Sequence, residues 1–186
     1  MNRTEAIQTV ISSLGKKDIA LFTTGMISRD AFSLGDRRGN FYMLGSMGLL
    51  SAFALGIAMN SPYKVVIVEG DGSALLSLGT FALIGSQKPE NLHHIVIDNE
   101  AYESTGGQPT ITNIIDLAEI ASACSYRTVK KVEHLTDLVT ALPKVLNSVG
   151  PSLLLIKVAL SDRKPARVTL SPVEIKERVE GFLRGV

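Results

Sequence analysis

The chain has 186 residues, 45% of them apolar, with 19 basic against 18 acidic residues and a formal charge of +1. That length supports a sizeable core in a single domain over residues 1–186, and the balanced charge gives no electrostatic footprint for nucleic acid or an anionic membrane. The longest apolar stretch, Gly48 to Met59, is too short to span a bilayer, the N-terminus lacks an apolar signal core, and a lone cysteine permits no internal disulfide, so a reducing cytoplasm is expected.

Thr4 to Leu14 reads as a first helix, with Ile7, Val10, Ile11 and Leu14 on one face. Ile19 to Phe22 is a short apolar strand ending at Thr23-Thr24-Gly25, and a helix is predicted over Ser28 to Leu34. A basic turn, Asp36 to Asn40, leads to a strand at Phe41 to Leu44 that ends in Gly45-Ser46-Met47-Gly48. A helix rich in glycine and alanine follows to Met59. Val65 to Val68 is an apolar, β-branched strand that delivers Gly70-Asp71-Gly72-Ser73, and His94 to Ile97 is another that delivers Asp98-Asn99. Ile115 to Ser125 reads as helix, Arg127 to Val132 as strand, and Leu135 to Leu146 as a helix kinked or divided at Pro143. Leu153 to Val158 is the last strand, and Pro172 opens a final amphipathic helix to Leu183. Residues 161–186 are more polar, a surface suited to a partner.

Strands alternating with helices, and few hairpin signals, predict a three-layer α/β/α fold on a mostly parallel sheet of about six strands. In such a sheet ligands bind outside the C-terminal strand ends. Asp71 stands there between two glycines at a helix start, where bare N–H groups suit a phosphate and the carboxylate suits a hard cation. Asn99, twenty-eight residues on, adds a neutral amide oxygen. With a following main-chain carbonyl, these donors describe a Mg²⁺–diphosphate site.

Plainer readings stand beside several residues. Thr23 and Thr24 suit ordinary capping, and Gly45 to Gly48 suits a tight turn with Met47 as core filler. His93 and His94 lie at a strand start, one to each face, and look non-catalytic; His134 reads as a solvated helix-start residue. Cys124 sits in an apolar helical run as a buried thiol. Arg29, Arg37 and Arg38 are candidate anion contacts, although surface arginines are common.

The Gly70-Asp71-Gly72 and Asp98-Asn99 pairing resembles the cofactor motif of thiamine diphosphate (ThDP) enzymes. The usual Asn-Asn is Asp-Asn here, but the ligand maps to the second residue. The resemblance implies Mg²⁺ held by Asp71, Asn99 and the carbonyl of Ala101, next to Tyr102. It implies a diphosphate held by Thr24 and Gly25, by Gly70 and Gly72, and by the backbone and hydroxyl of Ser73. Gly45, Ser46 and Met47 correspond to the turn that holds the aminopyrimidine, with the Met47 side chain wedged between the two rings of a bent cofactor. Ser104, Thr105 and Gln108 could reach an anionic substrate, or form a plain loop.

No glutamate here matches the one that hydrogen-bonds the pyrimidine ring in this family, where it belongs to a separate pyrimidine-binding domain. The resemblance therefore implies a hetero-oligomer with a pyrimidine-binding α subunit. The wording Arg38 to Gly48, Gly70 to Gly79 and Asp98 to Gln108 is most like decarboxylases of sulfopyruvate, as a separate β subunit, and of phosphonopyruvate. The expected substrate is a small anionic 2-oxo acid. The alternative from another class is a non-catalytic ThDP-binding regulatory module.

Overall fold

Apolar, β-branched runs without polar alternation need cover on both faces, and a parallel sheet between helical layers gives it. In the computed structural model, which describes residues 1–185, the chain runs α1 (Arg3–Ser12), β1 (Ile19–Phe22), α2 (Met26–Gly35), β2 (Asn40–Tyr42), α3 (Leu50–Asn60), β3 (Val65–Gly70), α4 (Asp71–Leu76) and α5 (Leu78–Gln87). It continues with β4 (Leu92–Asp98), β5 (Ala101–Tyr102), β6 (Gln108–Pro109), α6 (Leu117–Ala123), β7 (Thr128–Val132), α7 (Leu135–Leu146), β8 (Ser152–Lys157) and α8 (Pro172–Arg184). Six strands form one sheet in the order β2-β1-β3-β4-β8-β7, every neighbouring pair parallel.

Alternate side chains divide the core in two. Ala20, Phe22, Val66, Val68 and Ile95 meet α1, α2 and α7, while Ile19, Leu21, Val65, Ile67 and Val96 meet α3, α5 and α6. The three layers expected from the alternation of elements are thus present.

Four details bear on these expectations. The stretch after Asn99 closes into a two-stranded antiparallel ladder, β5 with β6, rather than an open loop. Helix α7 runs unbroken through Pro143; the ring removes a hydrogen bond to the carbonyl of Val139, which is exposed and can meet water instead. The last helix, in the segment expected to suit a partner, seats Ile175 and Val179 in this chain's own core, and Arg178 bonds Asp36 and the Arg37 carbonyl. Residue 186 of that segment lies outside the described residues. Cys124, expected buried, is half-buried at the end of α6.

Both ends of the helical layer are fixed by side-chain caps. Asn2 with Glu5 and Ser171 with Glu174 form capping boxes on α1 and α8. Asn2 also makes a parallel bridge to Ala159, whose N–H donates to the Met1 carbonyl at 3.0 Å. The N-terminus therefore lies just beyond the C-terminal end of β8.

His93 and His94 do face opposite sides of β4, and both are buried. His93 Nδ1 lies 2.8 Å from Ser152 Oγ. Burial, helped by Lys64, pulls its imidazole from an ordinary 6.5 down to about 4. The native chain thus binds fewer protons than the unfolded chain between these values, so His93 contributes stability above pH 6.5 that is lost as pH falls toward 4. The loss should reach about 3 kcal/mol. Denaturant unfolding from pH 7 to pH 4 measures it, and a His93→Gln chain should lack that part of the slope; equal slopes would refute the assignment.

Candidate cofactor-binding site

From β1 the chain crosses to β2 on one side and then returns to β3 on the other. The loops after β1 and β3 diverge at this reversal and open a crevice at the C-terminal edge. The cleft is partly open to solvent. It gathers Thr24, Met47, Gly70, Asp71, Gly72, Ser73, Asn99, Ala101, Tyr102 and Ser104 from the expected set. Gly25 stands behind it, where an added Cβ would lie 3.5 Å from the Ser104 side chain. Gly45 and Ser46 instead line a neighbouring groove beside Pro172 and Ile175. Thr105 and Gln108 are exposed and bonded to each other rather than turned into the cleft.

Asp71 ends the central strand β3, and its side chain is buried. Its Oδ2 accepts from Thr110 Oγ1 at 2.5 Å, while Thr112 Oγ1, 3.3 Å away, has its nearer acceptor in Asp98 Oδ1 at 2.9 Å. Burial raises its pKa, the Asp98 charge adds to this, and the Thr110 hydroxyl opposes it. A carboxylate so desolvated, with hydroxyls on one oxygen, fits a cation ligand. The helix it opens has only six residues, so the dipole expected to favour a phosphate is small; the Gly72 and Ser73 amides remain as donors.

Asn99 and Ala101 supply the other expected donors. The amide Nδ2 of Asn99 donates to Glu103 at 2.8 Å, and its Oδ1 accepts from the Ala101 N–H at 3.1 Å. Thr110 N–H bonds the Glu100 carbonyl, so Ala101, opposite Pro109, takes the non-hydrogen-bonded position of the ladder. Its carbonyl therefore points away from β6 and is free for a ligand. Among the described residues no group of three or more His, Cys, Asp or Glu side chains is arranged around a metal. A donor set of one carboxylate, one amide and one carbonyl is what Mg²⁺ takes when phosphate oxygens and water complete its shell. These residues fit a Mg²⁺–diphosphate group.

The Asp-for-Asn change at 98 has a structural answer. Asp98 lies opposite Lys157 across the β4–β8 pair, and Lys157 Nζ bonds Asp98 Oδ2 at 3.0 Å. Burial works against that ammonium, but its bonds to Glu100 and Asp98 outweigh the burial and keep it charged. Thr112 and the Glu100 N–H occupy Asp98 Oδ1. The extra acid is thus paired with a lysine, although its charge is still felt at Asp71.

Two glycines shape the floor. A Cβ on Gly72 would lie 2.4 Å from the Tyr102 ring and 3.1 Å from Met47 Cε, so this position admits Gly while both side chains cover it. Gly48 combines φ of 86° with a Cβ position 2.7 Å from Leu76, which closes the Met47 turn against α4.

Ser73 corrects one expectation. Its hydroxyl donates to the buried Glu69 at 2.7 Å and accepts from Thr23 Oγ1 at 3.1 Å and the Gly48 N–H at 3.3 Å. With its single proton committed to Glu69, the hydroxyl cannot donate to a phosphate; the backbone amide still can. The second Glu69 oxygen lies 2.7 Å from His94 Nε2, and Tyr126 lies 3.2 Å from His94 Nδ1. His94 is thus joined to the cleft floor through one carboxylate.

Sequence reading missed Arg3, Glu103, Glu69, Thr110 and Thr112. The Thr-Ile-Thr alternation, which sends both hydroxyls to one face, was a usable signal for the threonines. None of Arg29, Arg37 and Arg38 lines the cleft; the arginine there is Arg3.

Residues 24–156 match the thiamine pyrophosphate enzyme, C-terminal TPP binding domain. The chain belongs to this family. It is 37% identical to a phosphonopyruvate decarboxylase of Streptomyces viridochromogenes over 97% of its own length and 46% of the relative's. It is 36% identical to a sulfopyruvate decarboxylase subunit beta of Methanocaldococcus jannaschii over 95% of its own length and 94% of the relative's. The chain thus spans about half of the first relative and nearly all of the second. Its fold is that of solved ThDP enzymes, such as a benzoylformate decarboxylase of Polynucleobacter necessarius, with a TM-score of 0.71 at 20% identity over 89% of this chain and 34% of that one. Among the described residues no helix is long and apolar enough to cross a membrane.

Proposed function

We propose that this chain is the diphosphate-binding β subunit of a cytoplasmic, ThDP- and Mg²⁺-dependent decarboxylase of a small anionic 2-oxo acid, sulfopyruvate, working with a pyrimidine-binding α subunit. The observation that carries the reading is the convergence of Asp71, Asn99 and the outward Ala101 carbonyl in one cleft with the Gly72 amide and Met47. Asp71, Asn99 Oδ1 and the Ala101 carbonyl hold Mg²⁺. The Thr24 hydroxyl and the Gly72 and Ser73 amides hold the diphosphate. Tyr102 and Met47, packed over Gly72, exclude water from it. When bound, ThDP supplies the electron sink for loss of CO₂.

The cleft's carboxylates leave the pyrimidine side to a partner. Asp71 is held by Thr110 and Thr112, and Glu103 by Arg3 and Asn99. The group that bonds the pyrimidine ring is assigned to the α subunit because no glutamate of this chain stands in a matching motif. The near-complete overlap with a relative named as a subunit beta supports the two-chain arrangement. The 37% identity to a phosphonopyruvate decarboxylase supports a second reading, with phosphonopyruvate as substrate on the same site.

The test is decarboxylation by this chain purified with its pyrimidine-domain partner, ThDP and Mg²⁺, with the lone chain as control. The expected result is a higher kcat/KM for sulfopyruvate than for phosphonopyruvate, seen only in the complex. The reverse preference would move the substrate, turnover by the lone chain would overturn the partner requirement, and ThDP binding without turnover of any 2-oxo acid would favour a regulatory module.

A further inference from the structure

An asparagine is a usable cation ligand only when its oxygen, and not its NH₂, faces the ion. Asn99 is held in one orientation from both ends. Its Nδ2 donates to Glu103 Oε2, and its Oδ1 accepts from the Ala101 N–H. A flipped amide would set NH₂ against an N–H and the carbonyl oxygen against a carboxylate, two repulsive contacts.

Glu103 does not hold itself. Its Oε2 also accepts from Arg3 Nη1, at the start of α1, a hundred residues earlier in the chain. Arg3 is 2% exposed and is anchored in turn: Nε donates to the buried Asp30 at 2.7 Å, and Nη2 to the Arg163 carbonyl at 3.2 Å. Arg3 and Arg163 both lie outside the matched residues 24–156. The other Glu103 oxygen, Oε1, is buried without a hydrogen-bond partner, in a side chain that lines the cleft. A hydrated divalent cation carries water hydrogens that such an oxygen accepts.

We propose that Glu103, clamped by Arg3, is a positioning residue that selects the amide orientation of Asn99 and so presents Oδ1 to the cation. The inference rests on the Mg²⁺–diphosphate reading of this cleft. The fork of Arg3 is required because one guanidinium serves Asp30 and Glu103 at the same time, which a lysine ammonium does at poorer geometry.

The test is a calorimetric Mg²⁺ titration of the full chain, with its partner subunit present, at fixed ThDP. The chains compared are wild type, Glu103→Leu, Glu103→Gln, Asn99→Asp, and Glu103→Leu combined with Asn99→Asp. Glu103→Leu should weaken Mg²⁺ binding about tenfold or more, as loss of an outer partner of a ligand does. Glu103→Gln, whose oxygen still accepts from both Asn99 and Arg3, should remain within about threefold of wild type. The carboxylate introduced by Asn99→Asp presents an oxygen either way round, so in that background Glu103→Leu should no longer weaken binding. Thermal unfolding without ligand identifies any chain that has lost its fold, and the glutamine variant then carries the comparison: a tenfold loss in it overturns the proposal. Wild-type affinity in Glu103→Leu overturns the positioning role alone. So does an equal loss with and without Asn99→Asp, which would mark a plain charge effect. Failure of the wild type to bind Mg²⁺ with ThDP overturns the cofactor reading and this inference with it.

Discussion

Asp71→Ala is expected to abolish Mg²⁺-dependent binding of ThDP, weakening it by about a hundredfold or more. That factor corresponds to about 3 kcal/mol, the loss expected for one charged ligand. The nearby acids do not replace Asp71: Asp98 is paired with Lys157, and Glu103 is held through one oxygen by Arg3 and Asn99. The variant should nevertheless fold. Burial disfavours the ionised Asp71 carboxylate, so removing it relieves a cost in the lone chain while leaving Thr110 and Thr112 bonded to each other at 2.9 Å. Calorimetric titration of ThDP with and without Mg²⁺ separates the two effects. Unchanged affinity in a folded Asp71→Ala chain would sink the metal assignment. Asp71→Asn, which keeps an oxygen but loses the charge, should fall between.

Gly85→Ala should cost at least about 3 kcal/mol of stability, a fall of about 10 °C in Tm. Gly85 lies where α5 crosses the end of α6, and a Cβ built there would sit 1.5 Å from the Cys124 carbonyl oxygen and 2.7 Å from its carbon. Both are backbone atoms, so no side-chain rotation relieves the clash; the helices must separate along a face that buries Phe81, Ile84 and Ala121. Gly79→Ala, six residues earlier on the same helix, meets nothing within 4 Å and serves as the control. It should be neutral or stabilising by up to about 1 kcal/mol. Similar unfolding temperatures for the two variants would refute the packing argument.

The sheet was legible because its strands carry apolar residues on both faces, a pattern that survives without knowledge of neighbours. The cofactor loops were legible for a related reason: Gly70-Asp71-Gly72-Ser73 and Asp98-Asn99 stand directly after such strands. What stayed hidden depends on pairs far apart in the chain. Nothing local to Arg3 announces Glu103, and nothing near Glu69 announces His94; each pair exists only once the sheet order brings α1 and β4 into place. The direction of the Ser73 hydroxyl was hidden for the same reason, since it is set by Glu69 at the end of strand β3, whose burial the sequence does not reveal. The outward turn of Thr105 and Gln108 was not legible because it depends on the β5–β6 ladder, which rests on two residue pairs.

The bridge between Asn2 and Ala159 fixes where a longer polypeptide could be joined. Because Met1 is tied down immediately after β8, a segment attached ahead of it would emerge beside Arg3 at the mouth of the cleft, not at the far edge of the sheet. That exit point matters because the chain spans 46% of one relative's length and 94% of another's.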